Sequence, residues 1–484
     1  MDRRATRVML ASSTGISRKL AWLPAFCWFV TLCIAPAQET AKAPPANQPK
    51  ISAEAAKELL GSVDEILRFA SKDTGFPIRS DVKRRLTSRD EVVAYLEKHM
   101  AEDGDAQRLE RADQVLKKFG LLPRDFDLKK FLLALLREQV AGYYSPETKT
   151  VNLLDWTDPA QQKPVLAHEL THALQDQDIG LEKWMKSGSA LDDNKGPVTL
   201  KALAADEAST ARQAVVEGQA MVVLVDYMLA PNGASLLDSP QIAEALKQGM
   251  LVGTADSVQY RSAPVYLKET LIFPYRYGMD FIAEVLRKGG KQRAYHDLLV
   301  TPPITSRQIM EPATYLSGEQ LPPMPLPDLG RIFRNYERLD AGSFGEFDVG
   351  VLVDEYAGAD AGRQIYPHWR GGYYYAARPK NDHQAPLGIL FVTRWSGPDA
   401  ATKFAAIYAQ SLTKRYRRAR EAAAESAPAL DLGKLPTLTG THTWLTEEGP
   451  VVIDVVGDLV MVTESLDPAT TEELQKALFY AAAK

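Results

Sequence analysis

The segment Val165-Leu166-Ala167-His168-Glu169-Leu170-Thr171-His172-Ala173-Leu174-Gln175-Asp176-Gln177 constrains this chain more than any other stretch. Leu166, Leu170 and Leu174 recur every four residues, a spacing that predicts a helix with one buried side. His168 and His172 have the same spacing, so their imidazoles leave one face of that helix and can grip a single ion. Glu169 follows His168 by about 100° round the axis, within reach of a water on such an ion without being a ligand itself. The flanks agree with a helix: Asp158 suits the N-cap, Pro159 the first helical position, and Gly180 the stop. Before it, Val140–Tyr144 and Thr150–Leu154 read as strands joined by the turn Ser145-Pro146-Glu147-Thr148-Lys149, a β-hairpin.

A His-Glu-x-x-His run on a helix is the arrangement of zinc peptidases. Two imidazoles leave a tetrahedral Zn2+ short of a third protein ligand, with the fourth place open for water. A second helical pattern spans about 202–229 and holds Glu217 among Val215, Val216, Val222 and Val223. A carboxylate there is expensive to bury unless it meets a cation or several donors, and zinc meets that need. Glu217 is therefore the expected third ligand.

On these residues the chain resembles the gluzincin superfamily of metallopeptidases, in which HExxH lies on one helix and a glutamate on a second helix completes the site. The HELTHALQDQ segment, Glu217-Gly218 and Thr301-Pro302-Pro303-Ile304-Thr305-Ser306-Arg307-Gln308-Ile309-Met310-Glu311-Pro312 are similar to a group of exported, largely uncharacterised bacterial metallopeptidases. The likeness covers about 136–320. It implies a mainly helical zincin-like catalytic domain, one zinc ion, and hydrolysis of peptide bonds by a metal-activated water with Glu169 as general base. With no motif for holding a free terminus, cleavage within a peptide or protein substrate is favoured over cleavage at its ends. An edge strand of the hairpin, Gly142–Tyr144 or Thr150–Leu153, is expected to pair with extended substrate backbone.

The chain also departs from that pattern. His172 and Glu217 are 45 residues apart, more than twice the usual spacing, so an insertion is expected, and 185–200 looks like one. Met221 stands where thermolysin-like enzymes carry an aspartate, so the carboxylate that orients a zinc-binding histidine must come from elsewhere. Asp206 and Asp176 are the candidates. Tyr275, Tyr277 and His296 are candidates for the donor to a developing oxyanion. A rival third ligand is Asp178, at the last position of the HExxHxxGxxH pattern, although Gln175 occupies the glycine that pattern needs for its turn. Asp206 and Glu207 are further alternatives.

Residues 1–37 carry Arg3, Arg4, Arg7, Arg18 and Lys19, then an apolar run Leu20–Ile34, then Ala35-Pro36-Ala37. These are the parts of a secretory signal peptide, with cleavage expected near Ala37 and export to the periplasm or outside the cell. Membrane attachment is expected only if that segment stays uncleaved. Both cysteines, Cys27 and Cys33, lie in it, so neither a disulfide nor a thiolate site is expected in the mature chain. A formal net charge of −5 argues against nucleic acid as a partner.

Residues 38–50 are an Ala/Pro-rich linker, and 51–135 read as a helical N-terminal region with a capping box at Ser88–Glu91. The Pro-rich stretch in 321–340 reads as a linker to an α+β C-terminal domain, 341–484, with strands near 388–393, 451–456 and 459–463 and helices near 398–424 and 468–483. The basic run Lys414–Arg420 reads as a solvated helix face. The expected class of the whole chain is α+β, with a helical N-terminal region, a mainly helical catalytic domain and an α+β C-terminal domain. The competing function, from another class, is a non-catalytic exported binding or assembly protein that keeps a structural or degenerate zinc site.

Overall fold

The computed structural model describes residues 50–94, 103–139, 142–186, 196–242, 244–245, 257–422, 432 and 435–480. The signal peptide, all but the last residue of the Ala/Pro-rich linker, and most of the expected insertion lie outside them. The fold is mixed α+β, with a helical N-terminal region and a C-terminal sheet.

Helix α1 (Ala53–Thr74) starts at Ser52, whose hydroxyl accepts from the Ala55 N–H, and stops at Gly75 in the left-handed region. Strand β1 (Lys83–Thr87) follows, and then the capping box: the Glu91 carboxylate accepts from the Ser88 N–H at 2.7 Å. Helices α2 (Asp103–Phe119) and α3 (Leu128–Gln139) complete the region. The hairpin is β2 (Tyr143–Ser145) and β3 (Thr150–Leu154), with Lys149 at φ 54° in its turn.

The all-helical expectation for 51–135 needs correcting at β1, which pairs in parallel with β3 from Lys83↔Thr150 to Thr87↔Leu154. Lys83-Arg84-Arg85-Leu86-Thr87 has no apolar alternation, so nothing local announces a strand; pairing with β3 makes it one. The sheet order β1-β3-β2 leaves β3 central, which removes Thr150–Leu153 as a free edge and makes the N-terminal region part of the sheet beside the His-Glu helix.

Helix α4 (Pro159–Ile179) carries that motif between the Asp158 N-cap and the Gly180 C-cap. Helix α5 (Leu200–Leu229) starts at the Thr199 N-cap and runs beside it. By length and composition the stretch Leu200–Asn232 could cross a membrane, yet 72% of its most apolar window is buried inside the protein, as in a core helix. Helix α6 (Val265–Lys291) packs along α5 and is broken near its end by Gly290 at φ 70°. Helix α4 packs against α1, α5 and both hairpin strands, and it is buried almost continuously from Gln162 to Asp176.

The Pro-rich stretch is shorter than 321–340, since a helical turn forms at Leu329–Ile332 and β4 (Tyr336–Ser343) follows. It lies on the C-terminal sheet: Tyr373 donates to the Pro325 carbonyl at 3.0 Å and Arg394 to that of Pro323 at 2.8 Å. Helix α7 (Glu346–Ala357) leads to β5 (Trp369–Pro379), β6 (Gly388–Trp395), helix α8 (Pro398–Arg415), β7 (Ala419–Glu421), β8 (Gly440–Thr446), β9 (Gly449–Val456), β10 (Leu459–Glu464) and helix α9 (Pro468–Gln475). Seven strands form one antiparallel sheet in the order β4-β5-β6-β10-β9-β8-β7. Both faces of its centre are covered. Tyr373, Tyr375 and Ala377 join the cluster that holds Leu474, whereas Tyr374 and Ala376 join the main core with Phe391 and Phe404.

The basic run is exposed at Lys414, Arg417, Arg418 and Arg420, as expected, but most of it lies beyond the helix and Arg415 is not solvated. Helix α8 ends at Arg415, and that side chain is buried against Glu464 at 2.6 Å. Glu464 also accepts from Tyr408 and Tyr416 at 2.8 and 2.6 Å and faces Lys118 of α2 at 3.7 Å. The Phe119 ring sits 5.4 Å from Phe344 and 5.3 Å from Phe391, so α2 closes the core of the C-terminal sheet.

Candidate metal centre

Three side chains from two helices meet in the core. His168 and His172 of α4 and Glu217 of α5 are each at most 1% exposed. The two Nε2 atoms are 3.0 Å apart, and Glu217 Oε2 lies 3.3 Å from one and 3.4 Å from the other. This group could hold a metal ion. Ligand atoms about 2.0–2.1 Å from a tetrahedral Zn2+ are separated from one another by about 3.3 Å, so the three spacings match one face of such a tetrahedron. Among the described residues, buried Glu217 Oε2 has no partner but the two imidazoles, the condition of an acceptor arranged for a cation. Burial disfavours charge on all three groups, but the paired imidazoles hold the Glu217 carboxyl below its ordinary range. His172 is raised, its burial outweighed by Glu217, while burial and its charged neighbour lower His168.

Glycines set the approach of α5 to α6. A Cβ on Gly218 would stand 2.3 Å from the Gly278 carbonyl oxygen, and one on Gly278 would stand 2.2 Å from that of Ala214. The helices cross at this contact, beside Glu217. Gly218→Ala should force them apart and cost about 1–3 kcal/mol in urea unfolding, by overpacking. Gly61, in the open on α1 with nothing within 4 Å of an added Cβ, is the control. There an alanine should instead add about 0.5–1 kcal/mol.

The same crossing brings Tyr275 of α6 to the site, its ring 6.2 Å from that of His168. Tyr277, two residues on, turns to Phe273 at 5.4 Å and lies under Arg276; burial pushes its hydroxyl up to about 12. His296 packs on Phe76 at 4.9 Å, beside Gly75 at the end of α1. Of the three expected oxyanion donors, Tyr275 is the one beside the paired imidazoles.

Glu169 is equally buried, and its Oε2 accepts from the Tyr144 N–H at 2.7 Å. Strand β2 is an edge, as expected of Gly142–Tyr144, but this N–H is spent on Glu169 rather than offered to an incoming strand. Asp176 accepts from the Tyr144 hydroxyl at 2.7 Å, from Lys149 at 2.6 Å and from the Leu181 N–H at 3.1 Å, which ties α4 to the hairpin. Asp206 accepts from the Ser343 N–H and hydroxyl, both at 2.8 Å. Glu207 accepts from the Ser306 N–H and hydroxyl at 2.7 and 2.6 Å, and burial pushes its carboxyl up to about 7. Asp178 pairs with Arg79 at 2.6 Å. None of these four carboxylates belongs to the metal-capable group.

The group that meets His172 Nδ1 is Gln175, with its Oε1 at 2.8 Å. An amide, not the expected carboxylate, takes this place. Its signal was a second polar residue at helical spacing, three past His172, in a helix buried on every side.

No family model, curated protein or solved structure matches the chain.

Proposed function

We propose that the chain is an exported zinc metallopeptidase of gluzincin type, with 136–320 as a zincin-like catalytic domain that cleaves within peptide or protein substrates. The match of the His168–His172–Glu217 spacings to one face of a zinc tetrahedron carries this reading. A purely structural site also has no use for Glu169 between the histidines, held by a backbone N–H. When bound, zinc supplies Lewis-acid chemistry, making a water acidic enough to attack at neutral pH and polarising the scissile carbonyl.

His168 Nε2, His172 Nε2 and a Glu217 oxygen would hold the ion. The Glu169 carboxylate, positioned at Oε2 by the Tyr144 N–H, takes the proton of the attacking water and passes it to the leaving amine. Tyr275, beside His168, stabilises negative charge developing on the carbonyl oxygen through its hydroxyl. The low exposure of Glu169 and the three ligands keeps bulk water from competing for these groups.

That burial also favours the second reading, a non-catalytic binding or assembly protein with a structural zinc, because a peptidase has to open to admit its substrate. Metal analysis of the purified protein, paired with casein hydrolysis, separates the two. Bound zinc with hydrolysis that a chelator abolishes and added zinc restores supports the peptidase. Zinc without hydrolysis favours the binding protein, and no zinc contradicts both.

A further inference from the structure

We infer that Gln175 is the positioning residue of the metal centre: two buried amides, Gln175 and Gln219, fix the tautomer of His172 from backbone carbonyls on α5 and beyond α6. The inference rests on the metal-site reading above and identifies which group tunes that site.

The polarity of this chain of hydrogen bonds follows from its ends. Gln219 Nε2 meets the carbonyls of Ala294 and Tyr295 at 2.7 and 3.2 Å, and a carbonyl can only accept. The amide nitrogen of Gln219 must therefore face them, which turns its Oε1 to Gln175 Nε2 at 2.8 Å. Gln175 Nε2 also meets the Val216 carbonyl at 3.1 Å, a second acceptor that demands the same orientation. Gln175 Oε1 is thereby left facing His172 Nδ1 at 2.8 Å, and an oxygen there requires Nδ1 to carry the hydrogen. The lone pair of neutral His172 is then on Nε2, the atom that points at His168 Nε2 and Glu217 Oε2.

An aspartate at this place would also accept from Nδ1–H, but it would add a negative charge beside the buried Glu169 and Glu217. The amide supplies the acceptor without the charge. It also ties α4 to Val216, the residue before Glu217, so one side chain sets both the ring and the spacing between the ligand-bearing helices. Gln175 and Gln219 are both fully buried, so water is a poor substitute for either.

The test is zinc affinity measured by competition with a chromogenic chelator, alongside thermal unfolding of the metal-free protein. Gln175→Met removes the acceptor at similar volume and should weaken zinc binding about 10- to 100-fold. Gln175→Glu keeps an acceptor for Nδ1–H, so it should bind zinc more tightly than Gln175→Met even though its buried charge, facing the Val216 carbonyl, lowers the unfolding temperature further. A packing role alone would make the two variants lose affinity together, in step with their unfolding temperatures, and would overturn the inference, as would unchanged affinity in Gln175→Met. If that variant does not fold, Gln175→Asn, which draws the acceptor back from the ring, takes its place with the same expected direction and the same overturning result. Wild type that binds no zinc would refute the metal site itself, an outcome distinct from zinc-binding wild type with indifferent variants.

Discussion

Glu169→Gln should leave zinc content and unfolding temperature unchanged while lowering peptide hydrolysis a hundred- to ten-thousandfold, on the order of what a positioned general base contributes. The amide matches the carboxylate in shape and keeps an oxygen for the Tyr144 N–H, now 2.7 Å from Oε2, so the edge strand stays docked on α4. What is lost is a group that can take a proton from water. Glu217→Ala should behave differently, since it removes a ligand: zinc content falls, and hydrolysis falls with it. Residual activity in Glu169→Gln above a tenth of wild type would remove that residue from the mechanism. A fall in zinc content would show instead that it holds the metal.

The second large effect concerns the join between the N-terminal region and the C-terminal sheet. Glu464 is buried, salt-bridged to Arg415, and accepts from two tyrosine hydroxyls, with Lys118 close by. Glu464→Ala strands the buried Arg415 and should cost about 3–5 kcal/mol, measured by chemical denaturation. Against its burial, Arg415 and Lys118 hold the Glu464 carboxyl at about 2, below the ordinary 4.5. A depressed folded-state pKa means that this stabilisation is fully present above the ordinary value and is lost as pH falls from about 4.5 towards 2. Wild type should lose stability across that window, and Glu464→Gln should flatten its share of the slope. An unchanged slope in the variant would show that Glu464 does not control acid sensitivity.

Much of the fold was legible because its signals are local. The Asp158 and Gly180 caps, the Ser88–Glu91 box, the start of α5 and the strands β6, β9 and β10 each rest on a few adjacent residues. Strand β1 was not legible, because Lys83–Thr87 is a strand only through its pairing with β3. The end of α8 was missed for a similar reason. Arg415 looked like part of an exposed basic run, and only the distant Glu464 makes its burial possible.

The site divides in the same way. His168, Glu169 and His172 announce themselves by spacing on one helix, and Glu217 by its isolation among valines. The choice of Tyr275 over Tyr277 and His296 needed the crossing at Gly218 and Gly278, which no local pattern reveals. Gln175 needed it more, since a glutamine in a helix is unremarkable until its three partners are known.

The central claim is that one zinc ion sits between α4 and α5. Diffraction from zinc-soaked crystals on the two sides of the zinc absorption edge tests it most directly. The expected result is one anomalous peak, about 2.0–2.2 Å from His168 Nε2, His172 Nε2 and a Glu217 carboxylate oxygen. A strong peak elsewhere with none at this position, or density showing the three side chains hydrogen-bonded to one another around no ion, would contradict it.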